Sequence, residues 1–124
     1  MTPAHAAISA SADQEEAFRA LPPEAQAAFQ QFIASGTVAY LDQVIMAILA
    51  DYVPRPPARP LNELPGDTRL MDDLGFDSLA LAEVVFFTED LLAIRIANEE
   101  IIQVRTLDDL RRFVRSKAQS RVAV

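Results

Sequence analysis

Leu74-Gly75-Phe76-Asp77-Ser78-Leu79 places a glycine turn, an acidic residue and a serine hydroxyl immediately before an apolar helical run. Gly75 permits the tight turn that delivers the chain to the helix. Asp77 suits the N-cap position, its carboxylate accepting from first-turn amides that have no intrahelical partner. Ser78 is then the first helical residue, at an end where free amides and the helix dipole both favour an anion. A phosphodiester attached to Ser78 would be stabilised where it sits.

Outward from this turn the periodicity predicts helices on both sides. Downstream, a helix over Ser78–Leu92 has one face to bury, formed by Leu81, Val84, Val85, Thr88, Leu91 and Leu92. Its other side presents Leu79, Ala82, Glu83, Phe86 and Asp90, a candidate docking surface, while Phe87 reads as core. A short helix follows at about Asn98–Gln103. The last begins at Thr106, whose hydroxyl with Asp109 forms a capping-box pattern, and Leu107, Leu110, Phe113 and Val114 are its inward face.

Upstream, Val38, Leu41, Ile45, Ile48, Leu49 and Tyr52 recur at helical spacing, which predicts a helix over Thr37–Tyr52 capped by Thr37. Between the two, Pro54, Pro56, Pro57, Pro60 and Pro65 forbid regular helix, leaving a long crossing with one turn at Thr68–Asp72. The expected fold is all-α: a small bundle of three main helices and one short helix, with a long loop between the first and second. Residues 37–117 form that domain and 118–124 a C-terminal tail. Residues 1–36 form an extension, disordered over Met1–Ala12, with a short helix at 23–34 between Pro22-Pro23 and Gly36. The segment to Ala20 lacks the periodic apolar residues that would offset its ordering entropy, so its removal is expected to leave stability nearly unchanged.

Composition excludes several chemistries. With 124 residues, 51% hydrophobic content and three glycines, the chain suits one thin-cored helical domain. It has no cysteine, and its one histidine, His5, lies in the N-terminal segment. Disulfides and thiolate zinc sites are therefore impossible, and any reactive thiol must come with a prosthetic group. No metal site and no catalytic residue is expected. No apolar run approaches the ~20 residues that span a bilayer, and no leader pattern opens the chain; a soluble cytoplasmic monomer is expected, without stable membrane insertion.

Charge is uneven. The net is -7, yet Glu63, Asp67, Asp72, Asp73, Asp77, Glu83, Glu89 and Asp90 stand against Arg69 alone between Leu61 and Asp90. The acidity thus concentrates around Ser78, whereas Arg105, Arg111, Arg112, Arg115, Lys117 and Arg121 make the end of the chain basic. Nucleic acid is disfavoured as a partner, since phosphate neutralisation needs a dominant basic surface. Basic protein surfaces docking near Ser78 are favoured.

The Asp-Ser-Leu triplet after a leucine-glycine turn resembles the signature of the acyl carrier proteins, and the likeness continues without a gap from Ser78 to about Lys117. It covers roughly Thr37–Lys117 and is approximate through the Pro-rich loop. The resemblance implies that Ser78, with Asp77 before it, carries a covalent 4'-phosphopantetheine derived from coenzyme A. A phosphopantetheinyl transferase would attach it, and acyl-loading and acyl-processing enzymes would dock at Leu79, Ala82, Glu83, Phe86 and Asp90. Acyl groups would ride as thioesters on the arm, with Val84, Val85, Ile96 and Ile101 as candidate cavity lining. The chain also departs from the family. Its second main helix opens Leu79-Ala80-Leu81-Ala82 and carries Phe86-Phe87, Ala97 replaces the usual proline, and Arg95 adds a base nearby. These features point to a specialised carrier in a lipid or polyketide-type pathway rather than the general fatty-acid carrier.

Rival readings are a peptidyl or aminoacyl carrier and an unmodified helical interaction module. A hydrolase is a third, because Gly-Phe-Asp-Ser-Leu looks superficially like the Gly-Asp-Ser-Leu motif of a lipase family. A serine nucleophile needs a positioned base, and His5 lies some seventy residues away.

Overall fold

The computed structural model describes residues 12–122. Its helices are α1 (Ala12–Ala20), α2 (Pro23–Ser35), α3 (Val38–Tyr52), α4 (Ser78–Leu92), α5 (Asn98–Ile101) and α6 (Leu107–Val122), with a 3-10 turn at Leu61–Glu63. Among the described residues there is no sheet, only an isolated antiparallel bridge between Arg69 and Thr106. The all-α expectation is met: α2 answers to the short helix expected at 23–34, and α1 is the helix that the sequence reading did not include.

Local chemistry explains the ends. Pro23 opens α2, where a missing amide costs nothing, and Gly36 closes it at φ 75° with its amide donating to the Phe32 carbonyl. Thr37 precedes α3 as expected, but its side chain makes no cap bond; its hydroxyl instead accepts from Ser35 at 3.0 Å. Before α6, the Thr106 amide donates to Asp109 Oδ2 at 3.2 Å and the Asp109 amide to Thr106 Oγ1 at 3.1 Å. That reciprocal pair is a capping box, and the Arg105 amide shares the same carboxylate oxygen. These bonds hold the Asp109 carboxyl below the usual carboxylate range, the Arg105 amide contributing most.

The core is one cluster. Leu41, Ile45 and Leu49 of α3, Leu91 of α4, and Leu107 and Val114 of α6 are almost fully enclosed, together with Leu70 and Leu74 from the crossing. Each such side chain contributes roughly 1.5–3 kcal/mol by leaving water. Thr88 is buried among them, and its hydroxyl is satisfied by the Val84 carbonyl at 2.8 Å. Across the surface, Arg115 forks onto Asp42, its Nε donating to Oδ1 at 3.1 Å, which ties α6 to α3. Lys117 reaches Glu100 at 2.8 Å and ties α6 to α5.

Both termini differ from the sequence expectation. Ala12–Ala20, part of the segment expected to add little to stability, forms α1, and residues 1–11, where disorder was expected, lie outside the described residues. The N-terminal hairpin packs α1 on α4 and α2 on α3. Ala17, Leu21, Ala25, Ala28, Phe29 and Phe32 are buried in the same cluster as the bundle. Phe18 meets Phe29 at 5.9 Å between ring centroids, and the Gln14 side-chain amide donates to the Leu91 carbonyl at 2.9 Å. At the other end α6 runs past Lys117, with Ala118 buried, so no tail begins at 118.

The α1–α4 contact carries an electrostatic cost. Burial, then the carboxylates of Asp13, Glu89 and Glu16, push Asp90 above the usual carboxylate range. The folded protein therefore holds the Asp90 proton more tightly than the unfolded chain, so stability falls as pH rises through and above the ordinary Asp value. Asp90→Asn is expected to raise the thermal midpoint at neutral pH and to lose that advantage in acid. Melting curves at the two pH values check this.

Candidate functional site

The turn into α4 is built by backbone bonds from residues far apart in the loop. The Leu74 amide donates to the Arg69 carbonyl, Gly75 to Met71 and Phe76 to Leu70, while Arg55 donates to the Leu74 carbonyl at 3.1 Å. Leu74 and Phe76 plug into the core and leave Asp77 and Ser78 outside. Gly75 sits at φ 78°, and a Cβ there would lie 3.2 Å from the Arg55 Cβ. Both the backbone twist and the space therefore call for glycine.

Asp77 is the N-cap of α4, its Oδ1 accepting from the Ala80 amide at 2.9 Å. Ser78 follows at the first helical position and is exposed. The amides of Ser78 and Leu79 precede any intrahelical acceptor, so a phosphodiester on the serine oxygen meets donors and a favourable dipole.

Beside Ser78 opens a cleft of about 460 Å³. Its walls are Leu81, Ala82, Val85 and Phe86 of α4, Asn98 and Ile101 of α5, Ile102, Val104 and Arg105 beyond it, and Arg69–Asp72 from the crossing. The volume lies in the roughly 300–1,000 Å³ range of small-molecule sites. The Arg69–Thr106 bridge draws this wall together, with Leu70 donating to the Arg105 carbonyl at 3.0 Å and Leu107 to the Thr68 carbonyl at 3.1 Å.

The structure places the remaining sequence-derived residues unevenly. Of the four cavity candidates, Val85 and Ile101 line the cleft. Val84 does not: it is buried on the opposite side of α4, where its carbonyl receives Thr88. Ile96 is also off the cleft. The chain reverses at Ala93, φ 56°, and the Ile96 amide is held by the Glu89 carboxylate at 2.8 Å, short of α5. Leu81 and Val85, assigned to the buried face, are half-buried cleft walls.

Leu79 and Phe86 are 72% and 62% exposed, far beyond what core residues show, and Glu83 is exposed with them. Ala82 and Phe86 sit at the cleft, while Asp90 faces the acidic residues of α1. Phe87 is half-buried against Tyr52 at 6.2 Å in an edge contact. Sequence reasoning missed Leu70, Met71, Asn98, Ile102, Val104 and Arg105, because no periodicity links a loop to a wall that it reaches through tertiary bonds.

Residues 43–114, more than half of the chain, match the protein family defined by a phosphopantetheine attachment site. The chain belongs to the acyl carrier family. The acyl carrier protein of Kineococcus radiotolerans is 31% identical over 78 residues, covering 63% of this chain and 95% of that protein. The meromycolate extension acyl carrier protein of Mycolicibacterium aurum is 29% identical over 72 residues, or 58% of this chain and 74% of its own. The acyl carrier protein MbtL of a Mycobacterium species is 33% identical over 54 residues, or 44% and 61%.

As a member of the family this protein is a non-catalytic carrier with a covalent 4'-phosphopantetheine arm. A phosphopantetheinyl transferase and acyl-processing enzymes are its partners. The arm supplies the terminal thiol that this cysteine-free chain lacks. Among the described residues no helix is long and apolar enough to cross a membrane.

Proposed function

We propose that Ser78 carries the arm and that this carrier serves a dedicated lipid or polyketide-type pathway rather than general fatty-acid synthesis. The observation that carries the proposal is the exposed Ser78 at a capped helix start, opening on a largely apolar cleft between α4 and α5. Asp77 organises the first turn of α4 for the phosphodiester. Leu81, Val85, Ile101 and Val104 give an acyl chain an apolar wall, and such non-covalent shelter scales with the area buried and is reversible. Relatives named for meromycolate extension and as MbtL, both apart from the plain acyl carrier name, favour a specialised assignment.

Partners are proposed to read Leu79, Glu83 and Phe86, with an apolar anchor at Phe86 and steering by Glu83 and Asp90. Because Phe86 stands 62% exposed, Phe86→Ala is expected to leave the denaturation midpoint nearly unchanged. The same change should weaken binding of a loading enzyme several-fold. Calorimetry of the protein and titration with that enzyme separate the two, and a large fall in stability would place Phe86 in the core and remove the anchor.

A further inference from the structure

The walls of the cleft beside Ser78 are mostly aliphatic, yet two arginines and one carboxylate belong to its lining, Arg69, Arg105 and Asp72. The backbones of the two arginines are held side by side, Arg69 by its bridge to Thr106 and Arg105 by accepting the Leu70 amide at 3.0 Å. The two guanidinium groups are not equivalent. Arg69 Nη1 has Asp72 Oδ2 at 3.3 Å, so its charge is answered within its own loop. The backbone amide of Arg105 donates to Asp109, but that carboxylate spends its charge on the Arg112 guanidinium at 2.7 Å. Among the described residues the Arg105 side chain has no ion-pair partner.

We propose that Arg105 is an oxyanion-reading group in the wall of the Ser78 cleft, selecting arm-borne groups that carry negative charge there. The proposal rests on the arm being attached at Ser78. A guanidinium presents a planar fork matched to carboxylate and phosphate. Arg105 is exposed at the rim of the cleft, so its attraction for an anion is open to salt. A plain alkyl chain gains nothing from it, whereas a chain ending in a carboxylate does. The phosphodiester of the arm itself offers the same chemistry, so both sources are compared.

The experiment uses the full chain, wild type and Arg105→Ala, with the arm transferred from coenzyme A and from two acyl coenzyme A probes. The two acyl chains are of equal length, one ending in a methyl group and one in a carboxylate. Intact mass first verifies the arm on every sample, so that failure at Ser78 and failure at Arg105 are read in different measurements. Arg105→Ala keeps both backbone bonds of that residue. In the wild type the carboxylate-ended chain is expected to raise the melting midpoint above that of the methyl-ended chain, by a margin that shrinks with added salt.

In Arg105→Ala the margin is expected to vanish, and Arg105→Lys should restore part of it. A change of the arm's phosphorus resonance in the unacylated Arg105→Ala protein would support the proposal with the phosphodiester as the source. Equal midpoints for both chains in the wild type, with an unmoved phosphorus resonance in Arg105→Ala, would overturn it.

Discussion

Ser78→Ala is expected to abolish attachment of the arm: incubated with coenzyme A and a phosphopantetheinyl transferase, the variant should show no mass gain while the wild type gains one arm. The loss should be complete because no other serine among the described residues is a first helical residue following a side-chain-capped turn and facing a cleft. Folding should be untouched. Ser78 is exposed, the cap is made by Asp77 onto Ala80, and surface changes away from such features usually stay within about 0.5 kcal/mol. Intact mass together with a denaturation curve decides the matter, and a modified Ser78→Ala protein would remove Ser78 from the site.

Phe29→Ala is expected to cost about 3–5 kcal/mol of folding free energy. That is a large part of the roughly 5–15 kcal/mol that holds a domain together. Phe29 lies in α2, is 8% exposed, and carries the ring that Phe18 of α1 packs against. Its loss would loosen α1 from α4 as well as α2 from α3. A urea titration should show a lower midpoint with an unchanged slope, as expected for a single cooperative unit. A cost below about 1 kcal/mol would instead mean that the hairpin is an appendage to the bundle.

The legible parts of the chain were those governed by neighbours in sequence. Apolar positions three and four residues apart marked α3 and α4, the Thr106–Asp109 pair marked the start of α6, and Pro23 and Gly36 bracketed α2, because helix periodicity and capping act within a turn or two. Asp77 and Ser78 belong to this class, which is why the turn that presents the hydroxyl could be read directly. The hairpin's docking was not legible: α1 has one buried residue, Ala17, and its anchors are a ring on α2 and a carbonyl on α4.

By itself, then, the sequence determined an all-helical fold and the local geometry around Ser78, since those follow from short-range hydrogen bonding and hydrophobic spacing, while the carrier role came from the family resemblance. Only the tertiary structure decided which side of α4 forms the cleft. The crossing is joined to the chain before α6 by the Arg69–Thr106 bridge and walls the cleft that Val85 and Leu81 line, while Val84 is buried in the core. A helix that is apolar on several faces carries no record of which face will be covered. That choice belongs to whatever packs against it, here α3 on one side, α1 near its end, and a proline-rich loop whose path no local rule prescribes.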